Sequence, residues 1–248
     1  MMQLQDILFS QGFGTRRICC GLVQQGLVQV GPDAEPCTDP SARFDETNLV
    51  FRVQGVLWHY HERAYLMLHK PAAYECSQKP STYPSIYTLL PGPLRNRGGA
   101  AAAGVQAVGR LDQDTTGLLL LSDDGKFIHR MTSPRHHVPK VYEVQVRHPL
   151  DERQVARLLA GVVLDDDSQP VRAAAATACS ATHLQLTLTE GKYHQVKRML
   201  AAVGNRVEGL HRSAIGPLVL PADLLPGQWR WLTANEVKAL TEKPGTAR

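Results

Sequence analysis

The sequence lacks the features that mark several protein classes. No apolar stretch among its 248 residues approaches the roughly 18 needed to cross a bilayer, so no membrane-spanning helix is expected. No C-x-x-C pair occurs. The five cysteines (Cys19, Cys20, Cys37, Cys76, Cys179) are odd in number and mostly scattered, which argues for reduced intracellular thiols rather than a disulfide framework. No basic stretch leads into an apolar one at the N-terminus, so no secretory signal is expected and the cytoplasm is the default location. Excess charge of one sign is scarce: 27 Lys+Arg against 23 Asp+Glu leaves a net charge of +4. That permits a nucleic-acid partner without requiring one. His136 and His137 are adjacent in "RHHVPK", a spacing that rarely chelates one ion, and no partner stands at ligand distance in the sequence. No metal is expected.

What is present is the composition of a globular protein, 43% hydrophobic and 20% charged, with length enough for one large or two modest domains. Residues 1–60 form a candidate small module. Apolar positions recur at Leu4, Ile7 and Leu8, break at Gly12 and Gly14, and resume through Ile18, Leu22 and Val23. Thr15 can cap the second helix, and "LVQVG" alternates as a short strand. Arg16 and Arg17 fall in the first turn of that helix, where cations oppose the dipole; they either serve an outside anion or lie exposed. Residues 92–106, "GPLRNRGGAAAAGVQ", suggest a mobile loop whose Arg95 and Arg97 are able to touch a phosphate. In residues 61–248, "YLMLHK", "GLLLLSDD", "KVYEVQVR" and "THLQLTLTEG" read as strands. "KFIHRMTSP", "DERQVARLLAGV", "YHQVKRMLAAVGN" and "LTANEVKAL" read as helices, the last with a Thr233–Glu236 capping box. Strands dominate without a sustained βαβ rhythm, so the fold class expected is α+β with a largely antiparallel sheet.

Three stretches carry charge where burial is expected. "GRLDQDTTGLLLL" places Asp112 and Asp114 just before an apolar strand. A D-x-D-x-T phosphatase would show four or so apolar residues before its first aspartate; here Gly109 and Arg110 interrupt the run, and no later acidic pair stands at a sensible distance. "EGKYHQVKRMLAAVGN" puts Lys197 near the apolar stripe of a helix. A cation there needs a counter-ion, and Asp112 is the best candidate. "SPRHHVPK" adds Arg135 and Lys140, and the helix start adds Lys192 and Arg198, all able to meet phosphates.

These same stretches, "GRLDQDTTGLLLLSDDGKFIHRMTSPRHHVPKVYEV" and "EGKYHQVKRMLAAVGNRVEGLHR", resemble the pseudouridine synthases, in particular the branch that modifies small-subunit ribosomal RNA. "GTRRICCGLVQQGLVQV" resembles an S4 RNA-binding domain. The resemblance implies an S4-like domain over 1–60 and, over 61–248, a catalytic domain built on a mixed, mostly antiparallel sheet. It implies Asp112 of R-L-D as the catalytic residue, Tyr142 of K-x-Y packing on the target base, and Lys197 of Q-V-K-R pairing with the aspartate. Arg110 would help hold the flipped nucleotide. The implied partner is ribosomal RNA, with uridine 516 of 16S rRNA the family's usual target, on a monomeric cytoplasmic enzyme. Isomerising uridine moves no electrons or phosphate, so no cofactor is expected. A synthase for another rRNA site, or a non-catalytic S4-type assembly protein, are the competing readings. Two departures bear on the module. It opens with "QLQD" where S4 domains usually carry R-L-D-K, and residues 1–45 hold five acidic residues (Asp6, Asp33, Glu35, Asp39, Asp45) against three basic (Arg16, Arg17, Arg43), which predicts a modest contribution to RNA binding.

Overall fold

The computed structural model describes residues 1–31, 35–98, 104–165 and 167–242, with the backbone alone at Asp167 and Ser168. Asp33, and residues 99–103 of the Gly/Ala-rich stretch, lie outside the described residues. The chain divides into two compact units. One comprises Met1–Ala64, Leu90–Gln106 and Ser122–Asp124; the other Tyr65–Leu89, Ala107–Leu121 and Gly125–Arg248. Where the sequence suggested a single cut after residue 60, two later segments join the N-terminal unit.

That unit begins with helices Leu4–Ser10 and Arg16–Gln24. Leu4, Ile7 and Leu8 share one helical face, and all three are buried with Cys19, Val23, Val28, Phe51 and Val53. Thr15 caps the second helix, its side chain accepting the Ile18 N–H at 3.3 Å. Ile18, expected inside, is 51% exposed. With the helix starting at Arg16, Cys19 and Val23 lie four apart on the core face, and Ile18 turns outward. Strand Val28–Val30 pairs antiparallel with Pro36–Cys37 and with Val50–Val53, which pairs in turn with Val56–His59.

Within the 92–106 stretch, residues 92–98 carry defined structure where the composition suggested a mobile loop. A short helix, Gly92–Arg95, buries Leu94. Arg97 is 3% exposed. Its guanidinium donates to Asp123 at 2.6 Å, to Gln11 Oε1 at 2.9 Å and to the His61 carbonyl at 2.6 Å. A buried guanidinium must satisfy its donors internally, so Arg97 is a structural cation of this unit and not a phosphate contact. Arg16, too, is engaged within the unit: it pairs with Asp6 and lies 4.4 Å over the Phe9 ring.

The second unit is organised on the nine-stranded sheet. Its main path runs Ala175–Ser180, His183–Leu188, Lys140–Val146, Val207–Ile215, Thr116–Ser122, Tyr65–Lys70, Trp229–Trp231. Val207–Ile215 pairs parallel with Thr116–Ser122, whereas its pairing with Lys140–Val146 is antiparallel, as is that of Lys140–Val146 with His183–Leu188. The sheet is therefore mixed, in line with the α+β expectation. Alternation decides the faces: Tyr142, Val144 and Val146 are buried, as are Leu184, Leu186 and Leu188. Helices Gly125–Thr132 and Ala234–Thr241 contribute Phe127, Met131 and Leu240 to the core, with Met67, Leu118, Leu120 and Ile215. Both halves of the Thr233–Glu236 capping box form. Among the described residues no helix is long and apolar enough to cross a membrane.

Replacing Arg97 by Ala leaves Asp123 and the His61 carbonyl without their buried donor. The expected loss of unfolding free energy is about 3 kcal/mol, read by urea denaturation; a loss below about 1 kcal/mol would show that Arg97 is not a keystone of its unit.

Candidate active site

The two aspartates sit in the turn that joins Leu111, a buried residue, to strand Thr116–Ser122. Three backbone features hold that turn. The Thr115 N–H donates to the Asp112 carbonyl at 3.1 Å, and the Ala73 N–H to the Gln113 carbonyl at 2.8 Å. Lys70, at the end of strand Tyr65–Lys70 and fully buried, donates from Nζ to the carbonyls of Pro71 (3.0 Å), Gln113 (3.2 Å) and Thr115 (2.9 Å). Burial pushes the Lys70 pKa down, against the pull of Asp114 and Asp112. Gly117 adopts φ +109°, and a Cβ there would collide with the Arg212 backbone; only glycine lets the two parallel strands meet at this point.

The second half of the site comes from the turn before helix Gln195–Ala202. Gln195 is 4% exposed; its side chain accepts the Lys192 N–H at 2.8 Å and donates to Glu190 at 3.3 Å, tying the turn to the helix start. Lys197, one turn in, reaches Asp112 Oδ2 at 3.1 Å. The pairing inferred from the sequence is thus present, with two differences. Lys197 and Asp112 each keep 27% of their side-chain surface exposed, so the pair is neither buried nor dry. Lys197 also binds both oxygens of Asp114, at 2.7 and 2.9 Å; Asp114 is an ionic partner and not merely a shaper of the loop. Burial works against the charge on Lys197, but hydrogen bonds to Asp114 and Asp112 outweigh it and raise its pKa. Asp114 is held low in the same way: burial opposes ionisation, and the bond to Lys197 prevails.

His194 had no role in the sequence reading. Its Nε2 lies 3.4 Å from Asp112 Oδ1, its backbone is left-handed at φ 47°, and its ring stacks on Tyr193 at 3.8 Å. The strained conformation is the cost of aiming the ring at the carboxylate. Lys70 and Gln195 were missed as well. Their signal was a lysine closing an apolar run and a glutamine inside an apolar helix start.

These groups face a cleft of about 670 Å³, in the size range of small-molecule sites. It is lined by Arg110, Asp112, Lys140, Tyr142, Lys192 and Lys197 among the residues singled out from the sequence. Arg135 and Arg198 do not line it, nor do Arg16 and Arg17. Arg135 sits in the short turn Pro134–His136, and Arg198 donates to the Tyr193 carbonyl at 3.1 Å. Tyr142 stands between Leu186 and Arg212 in the register of the sheet. Opposite the aspartate, Glu75 clips a loop by accepting the backbone N–H groups of Ser81, Thr82 and Tyr83 at 2.9–3.0 Å. Those bonds hold its pKa down at about 2. Among the described residues no three His, Cys, Asp or Glu side chains are grouped to hold a metal.

Residues 64–202 match the profile of a family described as RNA pseudouridylate synthase. The chain belongs to that family. "Ribosomal small subunit pseudouridine synthase A" of Haemophilus influenzae is 37% identical over 228 residues, 92% of this chain and 94% of that one. Its Escherichia coli K12 namesake is 42% identical over 180 residues, 73% of this chain and 75% of that one. A solved structure titled "Crystal structure of pseudouridylate synthase" superposes with a TM-score of 0.66 at 36% identity, covering 97% of this chain and all of that one. As a pseudouridine synthase, the protein is an isomerase.

Lys140 has an energetic signature that checks its place in this cleft. Burial, and then the charge of Arg212, push its pKa down to about 8. The unfolded chain holds that proton up to about 10.5. Between those values the unfolded state binds more protons, so this group's destabilising effect is full below pH 8 and fades as pH rises through the window. Lys140→Met is expected to raise Tm by a few degrees at pH 7. The gain should shrink between pH 8 and 10.5. A gain independent of pH, or a loss at pH 7, would place the ammonium elsewhere.

Proposed function

We propose that this enzyme converts one uridine of small-subunit ribosomal RNA, uridine 516 of the 16S molecule, to pseudouridine, with Asp112 as the catalytic carboxylate. The observation that carries the assignment is the convergence of Asp112, Lys197 and Tyr142 on one cleft. The near full-length similarity to enzymes named for the small ribosomal subunit supports the substrate.

The reaction breaks N1–C1′ of uridine, turns the base and rejoins it through C5. Asp112 acts on the sugar, at C1′ or at the 2′ proton, and must be ionised to do either. The Lys197 ammonium stands 3.1 Å from its Oδ2. Taking the base out of its stack costs a few kcal/mol; packing on Tyr142 returns about 1–3 kcal/mol of it. Arg110, exposed at the mouth of the cleft, holds the nucleotide out. Lys192 at the rim, with Arg135 and Arg198 outside the cleft, meets RNA phosphates, a contribution that weakens with salt. The N-terminal unit acts as an S4-like RNA contact. Arg17 is among its exposed cations, with Arg43, Arg63 and Arg95, and Arg16 is drawn to Asp6. The enzyme works as a monomer in the cytoplasm and needs no cofactor.

Asp112→Asn keeps the shape of the side chain and removes its charge. The variant is expected to fold, to bind rRNA, and to form no detectable pseudouridine in a single-turnover assay of tritium released from C5. Asp114→Asn should retain measurable turnover, because Lys197 keeps Asp112. Residual activity of Asp112→Asn within about tenfold of wild type, little more than 1.4 kcal/mol of barrier, would defeat the assignment. Sequencing pseudouridines in rRNA from a strain lacking the gene tests the target: position 516 should lose its modification, and loss at a different position would redirect the enzyme to that site.

A further inference from the structure

Two buried polar atoms on the walls of the cleft have no hydrogen-bond partner, Arg212 Nη2 and Thr115 Oγ1. Arg212 is 2% exposed and Thr115 1%. A guanidinium in such a place normally has every donor satisfied. Here only one side is anchored: Nε donates to the Leu118 carbonyl at 2.8 Å. The register makes Arg212 the direct cross-strand neighbour of Tyr142. Directly opposed antiparallel residues put their side chains on the same face, with Cβ atoms about 5 Å apart. Lys140 precedes Tyr142 by two on the same strand and so shares that face; it also lines the cleft, and its Nζ donates to the Val138 carbonyl at 3.0 Å. Burial and the like charge of Arg212 both disfavour its protonated form, and no carboxylate is among the groups acting on it. Two cations thus flank the tyrosine on one sheet face, one of them with a donor left over.

The reaction supplies what this face lacks. When N1–C1′ breaks heterolytically, the electron pair stays with the base and spreads over N1, O2 and O4. After C5–C1′ forms, C5 releases its proton and N1 takes one up, so the isomerisation is redox-neutral. We propose that Arg212, assisted by Lys140, binds the carbonyl oxygens of the flipped uracil and stabilises the negative charge the base carries between the two bonds. The inference rests on Tyr142 and Asp112 forming the site described above. A base packed on Tyr142, which is itself only 8% exposed, brings its oxygens to the neighbouring strand. A phosphodiester stays with the RNA backbone at the rim, where Arg110 and Lys192 are. Donors fixed in advance at a place where charge develops act on the transition state rather than on binding.

The test separates leaving-group chemistry from structure. Fluorine at C5 stabilises the uracil anion, so an enzyme deprived of its charge-stabilising group should suffer less on 5-fluorouridine. The probes are two versions of the rRNA fragment that the wild-type enzyme converts, one with uridine and one with 5-fluorouridine. The readout is the single-turnover loss of the original nucleoside after nuclease digestion, with filter binding and thermal melts as controls. Arg212→Gln is expected to slow uridine conversion about a hundredfold, with RNA affinity within threefold, and to slow 5-fluorouridine cleavage by no more than about tenfold. Arg212→Lys should fall between wild type and Arg212→Gln. Should Arg212→Gln fail to fold, Lys140→Gln reads the same contrast at smaller amplitude, about tenfold against threefold. Equal defects on the two substrates, or a loss carried mainly by RNA affinity as a phosphate contact would give, would overturn the proposal. Asp112→Asn serves as the separate control: it should be inactive on both RNAs, and activity there would count against the site assignment and not against Arg212.

Discussion

Three backbone carbonyls converge on the ammonium of Lys70, and the position of the loop that carries Asp112 depends on that contact. Pro71 follows Lys70 directly, whereas Gln113 and Thr115 belong to one turn more than forty residues on, and one buried cation ties the two segments together. Such a charge is expensive to bury unless its donors are occupied. Here three carbonyl dipoles and the nearby Asp112 and Asp114 offset the cost. The result is a rigid turn that presents Asp112 toward Lys197. Gly117 completes the arrangement by letting the next strand lie against the backbone of Arg212. The carboxylate and the sheet face that carries Tyr142 are thereby registered to one another.

The electrostatics of the site are arranged by sharing. Lys197 divides its hydrogen bonds between Asp112 and Asp114, with the shorter distances to Asp114. One cation between two carboxylates leaves the trio with a net negative charge. His194 supplies a further contact to Asp112, at the expense of a left-handed backbone. The open cleft leaves Asp112 27% exposed, so the low-dielectric surroundings that strengthen such interactions arrive with the RNA. The cations sort by place. Arg110 and Lys192 line the cleft on the loops around it, and Arg135 lies outside it. Lys140 and Arg212 line it from the sheet.

The fold was legible wherever one face of an element is buried. Alternation marked Tyr142, Val144 and Val146, and the helical period marked Leu4, Ile7 and Leu8; burial followed both. Caps at Thr15 and Thr233 are local chemistry and were read directly. The Gly/Ala-rich stretch misled, because its composition hides one residue, Arg97, whose partners Gln11 and Asp123 are distant in sequence. Ile18 misled because an apolar residue next to the stripe reads as part of it, although one position from Cys19 it lies about 100° away around the helix.

By itself the sequence determined the element types, the α+β class and the pairing of charges in two motifs, since each follows from a periodicity or from a charge set against an apolar run. Only the tertiary structure decided that Lys197 is shared with Asp114, that Lys70 holds the loop, and that Arg212 stands opposite Tyr142 with a donor to spare. Register and burial are properties of strands brought together from 70 residues apart, and no local pattern records which backbone will lie beside which.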